Sequence, residues 1–170
     1  FVTNNSDPTE LAISVFAQKM GFEKQVLEKE SPRFSEIPFD YKNKYHAVSH
    51  KIDGQIYLTI LGAPEEILEL TTKIWHEGKS HPLSQEKKKE LESMLIKMSQ
   101  EGLRVLAFAL KFDVSDELNV KDIEGLTFVG FFGLKDTLRP EVHEAMKQAI
   151  FAGIKVVMIT GDHKITAAAI

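Results

Sequence analysis

His46-Ala47-Val48-Ser49-His50-Lys51-Ile52, then Asp53-Gly54, then Gln55-Ile56-Tyr57-Leu58-Thr59-Ile60-Leu61 is the stretch that decides the fold of most of this 170-residue chain. An Asp-Gly pair between two strand-like runs is the signal of a two-residue type I′ hairpin. In the second run Tyr57, Thr59 and Leu61 alternate with Ile56, Leu58 and Ile60, as a half-buried strand requires. Upstream, the chain reads as extended from Phe34 to Val48. Before that, Ser6-Asp7-Pro8-Thr9-Glu10 is a helix start: Asp7 caps, Pro8 takes the first helical position and Glu10 the third. Ala12, Val15, Phe16 and Met20 keep helical spacing, and Gly21 ends it. Downstream, Pro64 opens a helix expected from Glu65 to about Glu77, followed by a polar loop over Gly78–Leu83. Ser84 caps a third helix with Leu91, Met94, Leu95 and Met98 on its apolar face and Gly102 at its end. Arg104–Phe112 reads as a strand and Asp113–Glu124 as a loop. Residues 1–125 are therefore an α+β unit, an antiparallel sheet flanked by helices.

Beyond Gly125 the pattern changes. Leu126–Leu134 is a near-continuous apolar strand, Asp136–Arg139 a loop, and Pro140–Ala152 an amphipathic helix stopped by Gly153. Lys155–Thr160 reads as a second apolar strand, with a further helix after Asp162. Continuous apolar strands alternating with helices predict a parallel α/β arrangement in residues 126–170. A strand that empties through Thr160-Gly161-Asp162 into a helix N-terminus suits phosphate. Two such strands cannot close a doubly wound core. The tail is expected to be disordered, to pack against the first unit, or to pair with a neighbouring chain and so mediate oligomerisation.

Composition is that of a globular protein: 43% hydrophobic, 27% charged, net charge −4. No basic cluster is interleaved with aromatics, which argues against nucleic acid. With no cysteine there is neither a disulfide nor a thiolate metal site. The six histidines, His46, His50, His76, His81, His143 and His163, show no metal-ligand spacing and read as structural or surface residues. No apolar run reaches the roughly 18–20 residues that span a bilayer. The N-terminus has neither the basic nor the apolar region of a signal peptide.

Six short motifs follow one another in order. They are Asp7-Pro8-Thr9-Glu10; Pro38-Phe39-Asp40 with Lys44; Gly62-Ala63-Pro64-Glu65; Gly102-Leu103-Arg104-Val105-Leu106-Ala107; Asp136-Thr137-Leu138-Arg139-Pro140; and Met158-Ile159-Thr160-Gly161-Asp162-His163. The series resembles the cytosolic ATP-binding region of P-type cation-transporting ATPases, most like the calcium-pump and sodium/potassium-pump branch. The resemblance implies a nucleotide-binding domain over residues 1–125. It also implies an incomplete piece of a Rossmann-like, haloacid-dehalogenase-type phosphorylation domain over 126–170. The implied ligand is ATP with Mg2+. The implied partners are the remaining phosphorylation, actuator and transmembrane domains of a parent pump, of which this chain would be a cytoplasmic portion.

By resemblance, Glu10 accepts a hydrogen bond from the adenine amino group, although a capping box explains a glutamate there equally well. Phe39 stacks on adenine, against the plainer reading of a core phenylalanine. Lys44 lines the pocket, Gly62 allows close backbone approach, and Arg104 contacts the nucleotide phosphates. Thr160 and Gly161 hold the transferring phosphoryl group, while Asp136, Arg139 and Asp162 belong to the same phosphorylation site. The sequence departs from the family in three places. Asn43 and His46 stand where an arginine and a methionine are usual, Leu61 replaces the lysine that precedes Gly62, and Thr137-Leu138 stand where the family usually has proline. The phosphorylated aspartate of the family lies in a D-K-T-G-T motif that this sequence lacks, so the chain alone is expected to be catalytically inactive. A soluble haloacid-dehalogenase-type phosphohydrolase needs an aspartate nucleophile after its first strand, and none stands in that context. A non-catalytic nucleotide-binding or regulatory module is the remaining alternative.

Overall fold

The computed structural model describes residues 8–52, 54–112, 114, 118–135 and 139–159. Seven strands form one sheet: β1 (Arg33–Ile37), β2 (Tyr45–Ile52), β3 (Gln55–Gly62), β4 (Thr71–His76), β5 (Lys79–Pro82), β6 (Arg104–Phe112) and β7 (Leu126–Leu134). Their spatial order is β1-β2-β3-β6-β7-β4-β5. Every neighbouring pair is antiparallel except β4 with β7, which is parallel. Among the described residues five α-helices accompany them: α1 (Pro8–Lys19), α2 (Lys24–Glu30), α3 (Pro64–Glu69), α4 (Gln85–Gln100) and α5 (Val142–Phe151). This is the mixed α+β architecture expected from the hairpin, whose register runs from Tyr45↔Gly62 to Ile52↔Gln55.

The two faces of the sheet differ. Tyr45, Ala47, Leu58, Ile60, Ala107 and Ala109 point to one side and are buried against Ile67 and Leu68 of α3 and Leu91 of α4. Small residues on β6 let the helices sit close. Ser84 caps α4 through its Oγ, which accepts from the Lys87 amide at 3.1 Å. Side chains one residue out of step, such as His46, Leu61 and Phe108, point to the opposite side. Residues of α1 and α2 share that side: Phe16 meets Phe132 edge-on at 6.1 Å, and Phe132 meets Phe108 at 6.3 Å. None of the residues of α1 or α2 is buried, so this cover is loose.

Several expectations change. The helix expected over 65–77 ends at Glu69, and its second half is β4. The β-branched pair Thr71-Thr72 starts a strand there, Thr71 Oγ1 donates to the Ile67 carbonyl at 2.6 Å, and pairing with β7 outweighs helix propensity. The loop expected over Gly78–Leu83 is β5, joined to β4 by Glu77 and Gly78, both with positive φ, which is the requirement of a type I′ turn. The stretch before Phe34 contains α2, which was not anticipated. Leu126–Leu134, expected in a separate parallel unit, is an interior strand of the same sheet, with a bulge where Phe108 and Ala109 face Gly130 and Phe128. Its run of apolar residues fits burial on both sides. Of the strand expected over Lys155–Thr160, the described residues 155–159 form none, and Val157 and Ile159 are exposed. The described residues offer this segment no neighbouring strand.

Candidate site on the α1-covered face

Glu10 lies in the first turn of α1, near the start of β2. Its carboxylate approaches His46, whose Nδ1 is 4.0 Å from Glu10 Oε1. The other ring nitrogen, Nε2, is 2.9 Å from Glu36 Oε1 on β1. Arg33 Nη1 stands 3.9 Å from Glu36 Oε2. The ring of His46 is thus held between carboxylates of two different elements, and it is buried. Among the described residues Glu10 Oε2 is buried with no hydrogen-bond partner. An unpaired buried acceptor costs about 1–3 kcal/mol, more when ionised, so this oxygen is short of a donor.

Register places Leu61 of β3 directly opposite His46, and Phe108 of β6 opposite Leu61. The floor beside Glu10 is therefore imidazole, leucine and phenylalanine in a row. Phe39 is on the loop between β1 and β2, half exposed, with its ring edge-on to Tyr41 at 5.6 Å. Lys44 ends the same loop in a left-handed backbone conformation, φ 55°. Its ammonium donates to Glu66 Oε1 of α3 at 2.9 Å, and that bond with the Glu66 charge raises the lysine above its ordinary range. Gly62 is buried at the end of β3. A Cβ there would lie 2.5 Å from the Lys44 carbonyl oxygen and 2.6 Å from Tyr45 Cα, so the strands meet without room for a side chain.

Arg104 opens β6 and is exposed. It lines a cavity of about 620 Å3 with Thr9, Phe16, Phe132, Leu134 and Lys135. The cation therefore shares an opening with the residue preceding Glu10. On the other flank of α1 an apolar cavity of about 340 Å3 is bounded by Ile13, Ala17, Leu27, His50 and Phe108. Burial lowers the His50 imidazole below its usual value, and the bond of its Nδ1 to the Ser31 carbonyl at 3.2 Å partly opposes that shift.

The structure brings Glu10 together with His46, and Lys44 with the backbone beside Gly62, where the Ala63 amide donates to the Lys44 carbonyl at 2.9 Å. Phe39 and Arg104 stand on separate elements of the same end of the sheet. Arg139 is exposed just before α5. Asp136, Thr160, Gly161 and Asp162 lie outside the described residues. Glu36, Glu66 and Lys135 were not among the residues expected from the sequence, and His46 reads there as a structural or surface residue standing where the family usually has methionine. No motif marks them; only strand pairing makes Glu36 and His46 neighbours.

A family profile described as "P-type ATPase, cytoplasmic domain N" matches residues 3–141. The chain belongs to this family. The N domain also matches calcium-transporting ATPase 1 of Lactococcus lactis at 36% identity, over 96% of this chain and 19% of the relative. Calcium-transporting ATPase 1 of Bacillus cereus is 37% identical over 99% of the chain and 19% of the relative. The rat sodium/potassium-transporting ATPase subunit alpha-4 is 31% identical over 99% and 18%. The chain thus spans about a fifth of the length of these relatives. Among its described residues no helix is long and apolar enough to cross a membrane.

Proposed function

We propose that the chain is the ATP-holding part of a cation-transporting P-type ATPase, and that the nucleotide binds on the α1-covered end of the sheet. One observation carries this reading: the unpartnered Glu10 Oε2 beside a floor of Leu61 and His46. An adenine has a flat apolar face for that floor and an amino group for that oxygen. Because Oε2 is buried, admitting the base requires α1 to shift, which a helix without buried residues permits. Phe39, exposed on its loop, would stack on the base. Arg104 and Lys135 at the mouth of the larger cavity offer the charge that phosphates need. The magnesium would arrive with the phosphates. Phosphoryl transfer then needs an in-line nucleophile, which in this reading is an aspartate outside this sequence. Thr160, Gly161 and Asp162, with Asp136 and Arg139, would line that second site when the phosphorylation domain is assembled, alongside the actuator and membrane domains.

Stacking contributes about 1–3 kcal/mol and each charge-assisted hydrogen bond about 1.5–3. Association costs at least about 4 kcal/mol. With Leu61 where a further cation would stand, the net is small, and a Kd on the order of millimolar follows. Titration of the full chain with ATP, followed by amide NMR, checks this. Saturable shifts at Glu10 and Leu61, weakened about tenfold by Phe39→Ala, are expected. No shifts at about 10 mM ATP, well above that Kd, would refute the reading, and saturation at micromolar ATP would refute the weak affinity.

A further inference from the structure

We propose that His46 is a positioning residue for the base-recognising carboxylate, fixing Glu10 so that the chain selects a purine bearing a 6-amino group over one bearing a 6-oxo group. This rests on the nucleotide-site reading above and adds to it the side chain that decides which base is taken.

Glu36 anchors the imidazole. Its Oε1 is 2.9 Å from His46 Nε2, within hydrogen-bond range, and its Oε2 faces the Arg33 guanidinium at 3.9 Å. A second carboxylate oxygen engaged by a cation stops Glu36 from turning away. The imidazole is buried on the sheet face towards α1 and cannot rotate freely. With Nε2 tied to β1, Nδ1 has to face α1. It does so, 4.0 Å from Glu10 Oε1. That separation is longer than a hydrogen bond, and such contacts shorten when a site fills. Because Nε2–H donates to the Glu36 carboxylate, Nδ1 donates as well only in the doubly protonated imidazolium; in that form Nδ1–H engages Oε1 and leaves Oε2 for the incoming base.

The consequence is chemical discrimination. An ionised carboxylate only accepts hydrogen bonds. A 6-amino purine presents a donor to Oε2, whereas a 6-oxo purine presents another acceptor, which repels it. A site built to pair one polar group rejects the analogue lacking it more strongly than an apolar pocket can. If Glu10 were free to swing to solvent, both purines would meet only the apolar floor and bind alike. The Arg33–Glu36–His46 chain prevents that swing.

The test compares ATP with inosine triphosphate, which differs at the 6-position, on the full chain by calorimetry or amide NMR. Wild type is expected to favour ATP about tenfold, the scale of one charge-assisted hydrogen bond. His46→Met keeps an apolar side chain of similar bulk without ring nitrogens and should bring the ratio close to one. Two further variants separate positioning from packing. The amide nitrogen of asparagine falls near the place of imidazole Nδ1, and that of glutamine near Nε2. His46→Asn should therefore keep part of the preference, and His46→Gln should lose it. Glu36→Gln should reduce it without touching the ligand. Thermal melts identify any variant that fails to fold, and the Asn/Gln pair then decides. A wild type that binds ATP with an unchanged preference in His46→Met or His46→Gln overturns the inference and leaves the nucleotide site standing. A wild type that binds neither nucleotide overturns both.

Discussion

Gly62→Ala is the perturbation whose effect the structure fixes most closely. The added Cβ would come within 2.5 Å of the Lys44 carbonyl oxygen and within 2.6 Å of Tyr45 Cα and Cβ. All but one of these are backbone atoms, so no rotamer change makes room. Gly62 does not have positive φ, so the penalty comes from crowding and not from backbone strain. Overpacking of this kind costs about 1–3 kcal/mol. Spreading β2 from β3 also stretches the Ala63 amide bond to the Lys44 carbonyl, worth about 1 kcal/mol. The sum is about 2–4 kcal/mol. At roughly 2–4 °C per kcal/mol for a chain of this length, Tm should fall by roughly 5–15 °C. Urea unfolding should give a lower midpoint with an unchanged slope. Gly133→Ala is the matched control. Its Cβ would meet only the side-chain ends of Leu103 and Met98, each at 2.9 Å, and these can give way. A loss at position 62 below about 0.5 kcal/mol, the level of an ordinary surface change, or one no larger than at position 133, would show that the strands have room for a Cβ there.

Leu61→Lys places an ammonium opposite His46, near the carboxylates of Glu10 and Glu36, and should tighten ATP binding about tenfold; an unchanged Kd in the same titration would argue that Leu61 lies off the nucleotide path. His50 is held below its ordinary value by burial. Below about pH 6.5 the unfolded chain takes up a proton that the folded one resists, so the folded state loses stability as pH falls from that point towards the folded value. The Tm of wild type minus that of His50→Gln should drop between pH 7.5 and 5, and a constant difference would show that the burial has no such effect.

The hairpin at Asp53-Gly54 and the strands Arg104–Phe112 and Leu126–Leu134 were legible because alternation, a turn dipeptide and flanking glycines all point the same way. Thr71–His76 was not. Its residues suit either a helix end or a strand, and the decision comes from β7, which supplies hydrogen bonds from far along the chain. Leu126–Leu134 was located correctly as a strand but assigned the wrong neighbours, since a run buried on both faces reads alike in a parallel sheet and in the interior of this one. At the site, Glu10 could be singled out from its motif. That it borders His46, and that His46 leans on Glu36, depends on a strand pairing that no local pattern encodes.

The placing of β7 also bears on the order in which the molecule is made. During synthesis β4 and β5 emerge before the strand that will hold them, and the β4–β5 ribbon reaches the sheet only through β7. Until that strand leaves the ribosome, β6 offers an open edge of unpaired amides, and the ribbon is an isolated hairpin of the sort that is marginal in water. Closure of the sheet is therefore a late event in the life of the nascent chain, and this half of the sheet is where a chaperone would find it unfinished.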